Sequence, residues 1–206
     1  MLFRSVSKTF GADAVVQAYD AGQRAFGENY VQEALAKIAR LASRDIDWHF
    51  IGPIQSNKTR AIAENFAWVH SVDRMKIAER LAATRPAAMP ALNVLVEVNV
   101  GDETSKSGVA PADAAALARA VAALPRLKLR GLMAIPPATD DVTAQRRYCA
   151  KLREVSDEIA RSGIALDALS MGMSADLEAA IAEGATHVRV GTAIFGARQR
   201  GAAALQ

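Results

Sequence analysis

SMGMS (170–174) and RVGTAIFG (189–196) decide the fold of this 206-residue chain. Each sets a glycine and a hydroxyl residue where an apolar strand gives way to a helical pattern. Glycine lets the backbone come close to a ligand and a Ser or Thr adds a donor. A helix start offers unpaired N–H groups and a partial positive charge. One such turn is weak evidence. Two in succession, closing a repeating strand–helix chain, imply a phosphate site over the last two strands of a barrel.

Upstream of these turns, β-rich apolar runs alternate with Ala/Leu-rich stretches of helical period. Strands are expected at Leu2–Ser7, Ala25–Gly27, Trp48–Gly52, Trp68–His70, Leu92–Val100, Leu127–Ile135, Leu166–Leu169 and Thr186–Val190. Helices are expected at Asp13–Ala21, with Asp13 as N-cap, and at Tyr30–Leu41, Asn57–Asn65, Arg74–Ala83, Ala112–Leu124, Thr143–Ser162 and Asp176–Ala182. The clearest strand sets Val94, Val96, Val98 and Val100 against Asn93, Leu95, Glu97 and Asn99. Eight strands alternating with helices, with no long linker, predict a (β/α)8 TIM barrel, one α/β domain over residues 1–206. A doubly wound sheet fits less well, because no G-x-G-x-x-G follows the first strand.

Composition excludes several classes. The 25 basic and 22 acidic residues leave a net charge of +3, with no basic run interleaved with aromatics, which argues against nucleic acid as partner. Cys149 is the one cysteine, and His49, His70 and His187 lack metal-ligand spacing. No apolar run approaches the ~20 residues of a membrane span. No signal-peptide pattern opens the chain, so the cytoplasm is the expected location.

On a barrel, functional groups belong at the C-terminal ends of the strands. Lys8 falls there, just past Val6 and Ser7. A lysine partly withdrawn from water can act as an amine nucleophile and form a Schiff base with an aldehyde. The commoner reading, a solvent-facing lysine, is outweighed by its company: strand eight, with its phosphate turn, closes against strand one. Aldehyde and phosphate on one small ligand describe pyridoxal 5′-phosphate (PLP). Arg189 shares a strand face with His187 and Gly191 and is expected to point inward, to a carboxylate such as Glu97 or to the pyridine nitrogen of the cofactor. An always-charged arginine there would leave the ring a weak electron sink. In SMGMS, Gly172 permits the bend and Ser174 donates to phosphate or caps the next helix, while Met171 and Met173 read as packing. Asn29, after strand two, reaches a cofactor oxygen or caps a helix. Lys106, in ETSKSG (103–108), is a second amine near the mouth or a surface lysine.

The segments VSKT (6–9), AGQRAFGENYVQE (21–33), WHFIGPIQSNK (48–58), HSVD (70–73), VNVGDETSKSG (98–108), GLMAIPP (131–137), LSMGMSADLEAAI (169–181) and VRVGTAIFGAR (188–198) together resemble the PLP homeostasis protein family. That family is related in fold to the N-terminal barrel of alanine racemases. The resemblance runs from residue 2 to about 198. It implies a cytosolic PLP carrier or buffer in vitamin B6 and amino-acid homeostasis, without established catalysis. It also implies Lys8 as the Schiff-base lysine, Ser174, Gly191 and Thr192 as the phosphate cup, Arg189 as the ring-nitrogen partner and Asn29 as a pocket residue. The expected partners are PLP and apo forms of PLP-dependent enzymes, with neither nucleic acid nor membrane, and the chain is expected to be a monomer. Family members usually carry a helical segment ahead of the first strand, which this sequence lacks. A PLP-dependent racemase or lyase is the alternative. It is disfavoured because the expected second domain is absent and Tyr19, Tyr30 and Tyr148 fall in helices. A PLP-free barrel enzyme for a phosphorylated sugar is a third reading, one that would not require Lys8.

Overall fold

In the computed structural model, residues 2–101, 103 and 107–196 are described. The elements run β1 (Leu2–Val6), α1 (Ala12–Asp20), β2 (Ala25–Glu28), α2 (Val31–Arg40), β3 (Asp47–Phe50), a 3-10 turn (Ser56–Lys58), α3 (Thr59–Asn65), β4 (Trp68–Val72), α4 (Met75–Thr84), β5 (Leu92–Glu97), α5 (Pro111–Ala122), β6 (Leu127–Met133), α6 (Val142–Arg161), β7 (Ala168–Ser170), α7 (Leu177–Ala182), β8 (His187–Val190) and α8 (Thr192–Phe195). All strands pair in parallel and in chain order. The barrel closes where β8 returns to β1, in register from Leu2↔His187 to Ser5↔Val190. This is the predicted TIM barrel.

Strand alternation divides the core into two layers. One face of each strand feeds the layer under the helices, where Phe26, Phe50, Val69, Val94, Val96 and Val188 pack in one cluster with Ile62, Ile77, Leu81 and Leu152 of the helices. The other face fills the barrel. There Leu95, Met133 and Ala168 form a separate small cluster against Trp68. Buried His49, His70, His187, Ser170 and Arg189 complete a polar interior. His49 Nδ1 lies 3.0 Å from His70 Nε2, and His70 Nδ1 lies 2.9 Å from Ser170 Oγ. The rings of His49 and Trp68 stack 5.3 Å apart.

Several boundaries differ from expectation for local reasons. Asp13 is not the N-cap of α1: Gly11 takes that position, and Asp13, in the first turn, pairs with Arg40 of α2. β5 stops at Glu97 rather than Val100. Beyond it, Val109 N–H donates to Glu97 O at 2.9 Å and Asn99 N–H donates to Val109 O at 2.9 Å, so the chain loops round and runs parallel to itself at Val98 and Val109. β7 begins at Ala168, opposite Gly131, because Asp167 is engaged by Arg130, whose Nη2 is 2.6 Å from the carboxylate. α7 starts after Asp176, so Ser174 is not its N-cap. Asp176 Oδ1 instead accepts the N–H of Met173 at 2.7 Å and closes the turn. Gly172 makes that turn possible: its φ is +92°, and a Cβ there would stand 2.6 Å from Ala180 Cβ.

Candidate functional site

The C-terminal mouth of the barrel holds a cavity of about 290 Å³, lined by Lys8, Asn29, Ser174, Arg189, Gly191 and Thr192 together with Val6, Ile51, Ile135 and Met173. Topology alone brings the first six together. Closure of β8 on β1 sets Gly191 and Thr192 beside Lys8, and β7 adds Ser174 from the next turn. The two phosphate-type turns meet physically, because Thr192 Oγ1 donates to Ser174 Oγ at 3.2 Å. The first N–H groups of α8 have no intrahelical acceptor, so they add donors to the hydroxyls. Met173 is not core packing as expected. It is 40% exposed and lines the cavity, while Met171 is fully buried. Lys106 lies outside the described residues.

Arg189 is buried in the barrel and does not form the ion pair with Glu97 that its position allowed. Its Nη1 donates to Ser170 O at 2.8 Å and to Ser170 Oγ at 2.9 Å, and its Nη2 donates to Ala134 O at 2.8 Å. Three hydrogen bonds fix the plane of the guanidinium, and Nε has no partner among the described residues. Burial lowers this group to about 10, eased by the charges of Asp176 and Glu97, so it stays cationic at neutral pH. Asn29 does not cap α2, whose N-cap is Tyr30. Its Oδ1 is buried and has no hydrogen-bond partner among the described residues. Asn29 is held close to the turn after β3: a Cβ on Gly52 would lie 2.4 Å from Asn29 O.

The segment that carries Lys8 is clamped from outside the barrel by residues the sequence did not single out. Lys37 Nζ, on α2, donates to Ser7 O at 2.7 Å, to Glu28 Oε1 at 2.8 Å and to Glu33 Oε1 at 2.6 Å. Ser7 Oγ donates to Glu28 Oε1 at 2.5 Å, and Thr9 N–H donates to Glu33 Oε1 at 2.7 Å. Ser7, Glu28 and Lys37 are all buried. Desolvation raises the Glu28 carboxyl above its ordinary value, opposed by the hydrogen bonds from Lys37 and Ser7. Thr9 sits at φ +70°, a conformation costly for a β-branched residue, so Glu33 and Lys37 hold a strained turn on which Lys8 is displayed. The i, i+4 spacing of Glu33 and Lys37 reads as an ordinary surface pair on a helix. Only packing of α2 on β1 and β2 makes it a buried clamp.

Glu97, offered by the sequence as a carboxylate partner of Arg189, does not take that role. It is 6% exposed, and its carboxylate makes no hydrogen bond or ion pair among the described residues. Burial pushes it to about 7, with the charge of Asp73 adding and that of Arg189 opposing. A carboxyl raised in the folded state carries no penalty below its unfolded value. The penalty grows as pH rises through the window up to about 7 and is complete above it. Glu97→Gln should therefore stabilise the protein near pH 8 by up to ~3 kcal/mol, converting the shift at ~1.4 kcal/mol per unit. The gain should vanish as pH falls toward the ordinary value of 4.5. Urea unfolding at a series of pH values measures it, and a destabilised variant near pH 8 would show that the carboxylate is already paired.

Among the described residues, no helix is long and apolar enough to cross a membrane. The chain matches the family model for the alanine racemase N-terminal domain over residues 4–199. It is 62% identical over 200 residues to the pyridoxal phosphate homeostasis protein of Pseudomonas aeruginosa, covering 97% of this chain and 86% of that protein. It is 52% identical over 197 residues to the protein of the same name from Escherichia coli K12, covering 94% and 84%. Among solved structures, PipY of Synechococcus elongatus without PLP superposes with a TM-score of 0.90 at 40% identity, over 95% of this chain and 93% of PipY. PipY with PLP bound gives 0.87 at 39%, over 95% and 92%. An alanine racemase from Clostridium difficile shares the fold, at TM-score 0.78 and 14% identity over 55% of its length. By these matches, which span nearly all of its length, the chain belongs to the pyridoxal phosphate homeostasis protein family, within the wider group of alanine racemase N-terminal barrels.

Proposed function

We propose that this protein binds PLP reversibly through Lys8 and stores or hands it on, without turning over a substrate of its own. The observation that carries this reading is the convergence of one amine, one hydroxyl-lined double turn and one fixed guanidinium on a single cavity of about 290 Å³. The residues fit the group. Ser174, Thr192 and Gly191 would hold its phosphate, and Asn29, whose Oδ1 has no hydrogen-bond partner among the described residues, lines the same cavity. Arg189, with Nε unused among the described residues, would face the ring nitrogen. PLP supplies an aldehyde that a primary amine captures reversibly. Lys8 supplies that amine, and the clamp on Ser7 and Thr9 keeps its backbone in place. Arg189 would disfavour protonation of the ring nitrogen and so would limit carbanion chemistry.

The absence of turnover is supported by the cavity lining. Lys8 and Arg189 are its only titratable side chains among the described residues. Tyr30 is 57% exposed and lines a different cavity, and Tyr19 and Tyr148 pack against the core under the helices. Among the described residues, therefore, no second base lines this cavity with Lys8. The recipients are apo forms of PLP-dependent enzymes, and the chain acts as a cytoplasmic monomer.

Titration with PLP tests the reading. A visible absorbance band should grow to one equivalent, and chiral analysis after incubation with L-alanine should show no racemisation above buffer. A protein that stays colourless with PLP overturns the binding reading. Racemisation or elimination at ordinary enzymatic rates overturns the carrier reading and restores the racemase or lyase.

A further inference from the structure

We propose that the cavity adjoining the PLP pocket is a subsite for a primary ammonium group, held by the Glu97 carboxylate and the Asn29 amide oxygen. The cavity, of about 260 Å³, lies over the ends of β2, β3 and β5 and shares Asn29, Ile51 and Ile135 with the larger pocket. Glu97, 6% exposed, lines it and takes no hydrogen bond or ion pair among the described residues. Asn29 also lines it, and its Oδ1, just beneath the surface, has no hydrogen-bond partner among the described residues. A buried carboxylate with no direct hydrogen bond or ion pair is unfavourable, and a cationic ligand would offset that.

The chemistry of the walls selects the ligand. No Lys, Arg or His lines this cavity among the described residues. The charge of Asp73 adds to that of Glu97 and the charge of Arg189 opposes it, so among the described residues the acidic side chains nearest this wall favour a cation over an anion. Two carboxylate oxygens and one amide oxygen match the three N–H donors of an ammonium. A divalent metal is disfavoured, since no cluster of three or more His, Cys, Asp or Glu suited to a metal occurs among the described residues.

The purpose of such a subsite rests on reading the neighbouring pocket as the PLP cradle; its existence does not. An amine held there enters the mouth that Lys8 occupies. Glu97 can take one proton from it: an N–H bond breaks, an O–H bond forms at Oε, and a neutral amine remains, the form that competes with Lys8 for an aldehyde. Burial, which raises this carboxyl to about 7, makes it a better proton acceptor than an ordinary glutamate. The subsite thus gives the incoming amine a defined way to displace PLP.

Methyl NMR of the PLP-free protein near pH 8 tests it, with propylammonium, 1-propanol and propionate as probes. Propylammonium should shift the methyl signals of Ile51 and Ile135 saturably, in the millimolar range that so small a ligand allows. The alcohol and the carboxylate should not. Glu97→Gln should weaken propylammonium by about tenfold or more while leaving PLP affinity within about twofold, since Glu97 does not line the PLP pocket. If that variant fails to fold, Glu97→Asp serves in its place, with a few-fold weakening expected. Equal shifts from 1-propanol, or propylammonium binding untouched by either variant, overturn the proposal. A protein that binds propylammonium but develops no absorbance with PLP keeps the subsite and loses the cofactor reading, and the reverse result loses the subsite alone.

Discussion

Lys8→Ala should abolish the adduct that borohydride fixes between the protein and PLP, and it should weaken PLP binding by at least about 100-fold, roughly 3 kcal/mol at 1.4 kcal/mol per decade. Lys8 is the only amine lining the cavity among the described residues. Residual binding should persist, because the phosphate cup and Arg189 are untouched by the change. Lys8→Arg separates the two contributions of the lysine. It keeps the positive charge that attracts phosphate but supplies no nucleophile, so it should lose the adduct while binding more tightly than Lys8→Ala. Intact-mass analysis after reduction reads the adduct, and equilibrium titration reads the affinity. A full-yield adduct in Lys8→Ala would move the attachment to another lysine, with Lys106 the first to replace.

Lys37→Met should cost roughly 3–5 kcal/mol of stability, the usual penalty for removing one partner of a buried ion pair. Methionine matches the lysine stem in length, so the loss falls on the charge rather than on packing. The variant leaves Glu28 buried without its cation, and Ser7 O and Glu33 lose their donor. Glu28, already raised by desolvation, would rise further without Lys37. The deficit should therefore shrink as pH is lowered and Glu28 takes up a proton. Lys37→Met combined with Glu28→Leu should recover much of the loss, since no uncompensated charge remains. PLP affinity should fall in Lys37→Met by more than in a distant variant of equal stability, because Ser7 and Thr9 flank Lys8. Urea unfolding and PLP titration measure the two effects. A loss below ~1 kcal/mol would show that the clamp is solvated and weak.

The barrel was legible because its signal is periodic and local. Apolar alternation marked β5 through Glu97, and Ala/Leu-rich helical spacing marked α5 and α6 to within about two residues, the usual scatter of helix ends. The boundaries that moved were those where another contact competed with the local pattern: Asp176 capping the turn after Gly172, Asp167 held by Arg130, and Val109 looping round to Glu97. The six candidate pocket residues could be named because each stands at a strand end, and strand ends of a parallel barrel share one face.

The sequence by itself determined the alternation of strand and helix, the two glycine–hydroxyl turns and the placing of Lys8 and Arg189 at opposite ends of the chain. Each of these is written in residue type and short-range spacing. Only the tertiary structure decided which groups meet. Closure of β8 on β1 joins the two turns into one cup beside Lys8, docking of α2 turns the pair Glu33 and Lys37 into a clamp, and burial in the mouth leaves Glu97 a carboxylate without a hydrogen bond or ion pair among the described residues. The reason is physical. Desolvation and hydrogen bonding depend on what surrounds an atom in space, and residues 100 positions apart in the chain, such as His70 and Ser170, come within 3 Å only once the barrel has closed.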